Sequence, residues 1–315
     1  MISFMTQPVF FFPGSIYEYN RRKVSLEKNI VRELHTAFCR AQLILDSSLF
    51  FAKEWYQKKR ENLLLKPPPE GFKSARITPI SPSFFEVSLS SLGYASARGG
   101  EKCMEDEATV GTIFLVCEKK TAYVAYFILL DGDRGSECAR FLEEQIPLYL
   151  KKRLQKIPSL KDENKDLEII NSLKLLGPRL NQSYARYRWR QESSSLATST
   201  ALVCLLHERT LYTANIGDSR AIFVSSTKIV ALSEDANPTI PKYRIGVEKR
   251  GGRVVWQDAK KKWVVQHDRL QETPTVARSI GYNESHSGIN PRATVTKIKL
   301  TDKGHFVMAS KGIWS

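Results

Sequence analysis

At 315 residues, 42% hydrophobic and 26% charged, the chain can bury a full core and is too apolar for a disordered tail. Forty-eight Lys and Arg against 33 Asp and Glu leave a formal net charge of +15. That excess serves solubility as a solvated basic face, or it marks an acidic partner such as RNA, a phosphorylated protein or an anionic membrane surface; no aromatic-interleaved basic motif or zinc-finger spacing favours nucleic acid.

The opening Val9-Phe10-Phe11-Phe12 is apolar but short, lacks a basic segment before it and is broken by Pro13 and Gly14, so it does not read as a signal peptide. No apolar run approaches the length of a membrane span. From Leu26 to about Leu65, Ile30, Leu34, Phe38, Ala41, Leu45, Leu49, Ala52 and Tyr56 recur at steps of three and four, which predicts a long amphipathic helix. Residues 1–65 are thus read as an N-terminal helical extension. Its apolar stripe, widened by Phe50, Phe51 and Trp55, is expected to dock on the main domain or on a partner.

Lys66-Pro67-Pro68-Pro69 ends that helix, and Pro79 and Pro82 keep the next stretch extended. Residues 66–84 are read as a proline-rich linker, with a second domain from Phe85 to Ser315. Short strands follow: Phe85–Leu92, then Thr109–Cys117 and Tyr123–Leu130, a hairpin around Glu118-Lys119-Lys120-Thr121. A helix from Ser136 to about Ile157 is expected to be kinked or divided at Pro147. A second runs from Leu167 to about Glu192 and carries Gly177-Pro178. Thr198–Leu206, Leu211–Ile216 and Ala221–Ser225 read as successive antiparallel strands. Strands, two helices and strands again predict an α+β layout with antiparallel sheets. The five cysteines (Cys39, Cys103, Cys117, Cys138, Cys204) are odd in number and lack any C-x-x-C pair; three lie in apolar stretches and read as small buried hydrophobes of a reducing cytosolic or nuclear compartment.

Four strings stand in order: Met104-Glu105-Asp106, Leu130-Asp131-Gly132, Asn215-Ile216-Gly217-Asp218-Ser219-Arg220-Ala221 and Met308-Ala309-Ser310-Lys311-Gly312. Ser199-Thr200-Ala201, Leu232-Ser233-Glu234-Asp235 and Arg250-Gly251-Gly252-Arg253-Val254 lie between the last two or beside them. In this order they resemble the metal-dependent PPM (PP2C-type) protein serine/threonine phosphatases. The resemblance implies a PP2C-like α-β-β-α sandwich of two antiparallel sheets flanked by helices, with a dinuclear Mg²⁺ or Mn²⁺ site whose bridging water attacks phosphorus. The family's domain continues beyond the last motif, so an end at Ser315 implies a C-terminally truncated domain.

By that resemblance Glu105, Asp106 and Asp131 match positions that ligate or orient one metal, and the Gly132 carbonyl would complete that half-site. The other half departs from the pattern. Glu101 stands where an arginine binds phosphate, Asp133 where a histidine protonates the leaving group, and Tyr282 and Lys311 where aspartates bind metal. Hard divalent ions need several oxygen ligands, and an ammonium group at such a position repels them. Lys311 is therefore expected to pair with Asp131 in place of a metal. The resemblance implies a degenerate member: the protein serine/threonine phosphatase activity is lost or strongly impaired, no catalytic set is intact, and the cofactor is none, or one weakly bound Mg²⁺ or Mn²⁺. What remains is a pseudophosphatase that binds or regulates a protein partner or phosphoprotein; the alternatives are a working Mg²⁺/Mn²⁺-dependent phosphatase resting on Glu105, Asp106 and Asp131, or a basic interaction protein whose N-terminal helix carries the function.

Overall fold

The computed structural model describes residues 9–11, 76–81, 84–88, 93–97, 104–117, 120–157, 164–225, 227–258, 261–266, 273–282, 287–300 and 304–314. The helix expected over residues 26–65 lies outside them. The chain divides into two compact units, the larger formed by Glu105–Arg220 and Ala231–Thr301 and the smaller by the remainder.

The smaller unit is built on a seven-stranded sheet. Its early strands are β1 (Val9–Phe11), β2 (Arg76–Ser81), β3 (Phe84–Ser88) and β4 (Gly93–Ala97). Strand β1 falls within the segment read as a helical extension, and β2 within the segment read as a linker. Proline could be accommodated in β2 because that strand forms the sheet edge, where one missing ladder donor is tolerated, and its pairing with β3 is irregular between Pro79 and Ser81.

The larger unit opens with β5 (Glu107–Cys117) and β6 (Lys120–Leu130). They pair antiparallel from Glu107 opposite Leu130 to Cys117 opposite Lys120, which is the expected hairpin. After the two-residue β7 (Gly132–Asp133) come helices α1 (Glu137–Leu154) and α2 (Lys165–Arg190). Helix α1 runs through Pro147 undivided, which removes one of the two expected outcomes, the division. Leu142, Ile146, Leu150 and Leu154 recur at four-residue steps on one fully buried stripe. Each such side chain contributes about 1.5–3 kcal/mol on burial, which together outweighs the roughly 3 kcal/mol cost of an internal proline.

Helix α2 likewise continues through Pro178. Gly177 is required there by close approach: a Cβ would lie 1.7 Å from the Pro291 carbonyl oxygen and 2.7 Å from Ile216 Cδ1. Glycine lets the helix axis lie against the strand beneath it.

The stretch expected as one strand from Thr198 is broken at Thr200 into β8 (Thr198–Ser199) and β9 (Ala201–His207). Strands β10 (Thr210–Ile216), β11 (Arg220–Ser225) and β12 (Ile229–Ala231) follow, then α3 (Pro241–Lys249) and the hairpin of β13 (Arg253–Gln257) and β14 (Lys262–Gln266). The chain closes with β15 (Thr294–Lys299), β16 (Gly304–Ala309) and the short helix α4 (Lys311–Trp314). The larger unit's main sheet has the order β15-β10-β9-β6-β5, antiparallel throughout. The reading of β9, β10 and β11 as successive partners needs correction. Strand β11 belongs to the seven-stranded sheet, ordered β12-β11-β16-β1-β4-β3-β2, because the chain changes sheets at Gly217-Asp218-Ser219. Asn215 stabilises that change: its Nδ2 donates to the carbonyls of Gly217 (3.3 Å), Ser219 (2.9 Å) and Glu234 (2.9 Å).

The larger core gathers inward side chains of α1 and α2 with Val124, Ile128, Leu130, Val203, Leu205, Tyr212 and Ile216 from the sheet. In the smaller unit Ile222, Val224, Val307 and Ala309 pack with Ile229, Ile313 and Trp314, whose indole N–H donates to the Ala309 carbonyl at 2.8 Å. Among the described residues no helix is long and apolar enough to cross a membrane.

Two measurements follow from this packing. Cys138 and Cys204 are fully buried, and burial pushes both thiols up, Cys204 to about 12. A neutral buried thiol is a poor nucleophile. In the native protein at pH 7.5 iodoacetamide should leave both unmodified in peptide mass spectra and label both after unfolding; native labelling at the denatured rate would contradict the packing. Asp166 is partly buried, which raises its carboxyl, but hydrogen bonds from Lys297 and Tyr212 outweigh burial and hold it below the usual range. A depressed folded pKa contributes stability above the unfolded value that is lost as pH falls through the folded one. Asp166→Asn should therefore cost about 0.5–1 kcal/mol at pH 7, with the gap closing below the ordinary aspartate range; a pH-independent gap in urea melts would refute the assignment.

Candidate functional site at the end of the β5–β6 ladder

The ladder register alone brings the acidic motif residues together. Glu107 pairs with Leu130, so Glu105 and Asp106, just before β5, fall beside Asp131 and Gly132, just after β6. Asp106 is 7% exposed, and its Oδ1 accepts the Gly132 N–H at 3.3 Å. Gly132 is needed for the approach of the two chains, since a Cβ would lie 2.3 Å from the Glu105 carbonyl oxygen. The Asp131 carbonyl is occupied on the other side, accepting from Thr200 N at 2.9 Å and Ser199 Oγ at 3.2 Å.

Ser199 then ties a third segment to the site. It pairs with Gly132 across β7–β8 and with Ile280 in an antiparallel bridge whose two N–H···O contacts are both 2.9 Å. Its fully buried neighbour Ile280 is followed by Gly281, whose N–H donates to Asn181 Oδ1 on α2 at 2.8 Å. This bridge carries Tyr282 to the side of the site where Asp133 and Arg134 lie. Asp133 is half exposed and its Oδ2 accepts from Arg134 Nε and from Thr198 Oγ1, each at 3.3 Å. The Arg134 guanidinium sits 5.0 Å from the centroid of the Tyr282 ring. A cation over an aromatic face is held by the ring quadrupole, by about 0.5–2 kcal/mol depending on exposure.

Arg134 was not singled out by sequence reasoning. It occupies the position of a glycine in the related Asp-Gly-His-Gly-Gly string and keeps a glycine-like backbone, with φ of 63°. A left-handed conformation costs an L-residue roughly 1–2 kcal/mol. The contacts with Asp133 and Tyr282 offset that strain. The available signal was a long cation inside an otherwise glycine-rich turn. The second omission is at the end of α2, where Arg186-Tyr187-Arg188-Trp189-Arg190 interleaves arginine with aromatics. The expectation that no such motif exists is corrected by this segment.

Glu101 lies outside the described residues. Lys311 is the first residue of α4 in the smaller unit. Arg278, in the string that ends at Tyr282, serves the scaffold: its Nη1 donates to the Arg292 carbonyl and to Thr294 Oγ1, both at 2.8 Å, and burial lowers its pKa. Among the described residues no three Asp, Glu, His or Cys side chains come close enough to share one metal ion. The donor set described therefore does not fit a two-metal centre.

The geometry agrees with the comparisons to known proteins. The family model for protein phosphatase 2C matches residues 90–315, close to the extent of the motif resemblance. The probable protein phosphatase 2C 55 of Oryza sativa subsp. japonica is 30% identical over 71% of this chain and 54% of its own length. Protein phosphatase 1K, mitochondrial, of Xenopus laevis is 28% identical over 78% of this chain and 60% of its own. The chain thus spans between half and two thirds of the length of these curated relatives. The solved serine-threonine phosphatase 2C of Toxoplasma gondii shares the fold, with a TM-score of 0.55 at 16% identity over 75% of this chain and 77% of that one. Its motifs, its α+β architecture and the family match agree: the chain belongs to the protein phosphatase 2C family.

Proposed function

We propose that this chain is a phosphatase-fold binding or regulatory module for a protein partner or phosphoprotein rather than a working metal-dependent phosphatase. The observation that carries the reading is Tyr282, which stands where the family's motif has a metal-binding aspartate and has the Arg134 guanidinium 5.0 Å from its ring. A carboxylate is thereby exchanged for an aromatic group and a fixed positive charge. For a divalent ion this replaces attraction by repulsion, worth about 4 kcal/mol per unit-charge pair at 4 Å for an effective dielectric near 20. Asp133, in place of the family's histidine, is already engaged by Arg134 and Thr198. Lys311 likewise puts a cation where the motif has an aspartate, and Glu101 puts a carboxylate where it has a phosphate-binding arginine.

The second reading, an active Mg²⁺- or Mn²⁺-dependent protein serine/threonine phosphatase, is favoured by the convergence of Glu105, Asp106 and Asp131 at one end of the β5–β6 ladder. The two are separated by assay of the full chain on a phosphothreonine peptide with millimolar Mn²⁺. No turnover above the EDTA control is expected. Turnover abolished both by EDTA and by Asp131→Ala would establish the enzyme and overturn the binding-module reading.

A further inference from the structure

Beside Tyr282 the larger unit contains an open cleft of about 810 Å³. Its lining includes Arg134, Arg188, Arg190, Trp189, Glu192 and Tyr282. Among the described residues three arginines and one acid, Glu192, line it; of the nearby acids, Glu137 accepts from Ser193 and Asp133 is held by Arg134 and Thr198.

Two of the arginines have donor capacity in reserve. Arg134 Nη1 and Arg188 Nε are buried and have no hydrogen-bond acceptor among the described residues. The Arg188 guanidinium carbon also stands 6.0 Å from the centroid of the Tyr184 ring. A buried donor without an acceptor is costly, and guanidinium is the side chain whose forked donors best match phosphate oxygens. Beside them Trp189 is 81% exposed and Leu196 50% exposed. Arginines in the last turn of α2 suit the helix dipole. That explanation covers neither the unused donors nor a tryptophan left in water next to them.

We propose that this cleft binds a phosphorylated segment of a partner protein, with Arg134, Arg188 and Arg190 taking the phosphate and Trp189 and Leu196 covering an apolar residue beside it. A phosphomonoester brings close to two negative charges and three acceptor oxygens, which match the charge and the forked donors of the lining arginines. The aromatic and apolar rim favours a peptide over a free anion. The site is assembled from groups that the phosphatase reaction does not call for, and it deepens the binding-module reading, on which it rests for its purpose but not for its chemistry.

The test uses the full chain in EDTA at 150 mM salt, so that binding is read without any metal-dependent turnover. Probes are a fluorescein-labelled phosphothreonine peptide with leucine on each side, its unphosphorylated twin, inorganic phosphate, and vesicles with 30% phosphatidylserine. The phosphopeptide should bind at least tenfold more tightly than its twin and quench Trp189 fluorescence, a signal lost in Trp189→Phe. Arg188→Gln should weaken it tenfold or more, and so should the surface variant Arg190→Glu, chosen because its exposed side chain leaves folding intact. Trp189→Ala should weaken the peptide far more than inorganic phosphate. Equal affinity for the two peptides, or arginine variants that bind like the wild type, would overturn the proposal. Stronger arginine-dependent binding to the vesicles than to the phosphopeptide would overturn it in favour of a membrane surface. Metal-dependent turnover in the separate assay would sink the binding-module reading while leaving this binding result to stand or fall by itself.

Discussion

The pairing of β6 with β5 on one side and β9 on the other is the constraint on which the site depends. One ladder sets Glu105 and Asp106 beside Asp131 and Gly132. Where the other ends, the chain interrupts its strand at Thr200, and Ser199 turns aside to bridge both Gly132 and Ile280. Because side chains in a strand alternate faces, a slip of one residue in β5 would move Asp106 away from the Gly132 N–H and turn Ile113 out of the core. The helical core enforces the register: Val124, Ile128 and Leu130 are all completely buried beneath α1 and α2.

Upon that frame Arg134 adds a local positive charge. The family's chemistry calls for carboxylates around divalent cations, and the positive charge comes from solution. Here Arg134 supplies a positive charge covalently, from a residue held in a left-handed backbone conformation, steadied by Asp133 and by the ring of Tyr282. The exchange is self-consistent. An arginine in place of glycine needs a partner for its charge and a surface for its stem, and Asp133 and Tyr282 provide them. The same residue then lines a cleft together with Arg188 and Arg190.

The scaffold motifs have a different physical basis. Asn215 satisfies three carbonyls around the turn where the chain changes sheets, and Arg220 makes a two-point ion pair with Asp235, at 3.2 and 2.7 Å. These contacts hold the backbone around the sheet change in place.

Sequence alone determined much of this protein, because its signals are local or carried by ordered motifs. Apolar β-formers on either side of Glu118–Thr121 pointed to the β5–β6 hairpin, and helices were legible over Ser136–Ile157 and Leu167–Glu192, close to α1 and α2. The motif order identified the family and set Glu105, Asp106, Asp131, Asp133 and Tyr282 as the residues to inspect. Other features depended on groups distant in the chain. Pro147 and Pro178 remain inside continuous helices because burial against the sheet outweighs a local penalty that periodicity cannot weigh. Strand β11 joins a sheet whose members come from residues 9–11, 76–97 and 304–309, a partnership that no local pattern encodes. Arg134 and Arg188 acquire meaning only once Ser199 has drawn Tyr282 across from 83 positions further along the chain to meet Asp133 and the end of α2. Composition and spacing fix which charges a chain carries; only tertiary structure decides which of them face one another and which are left with donors to spare.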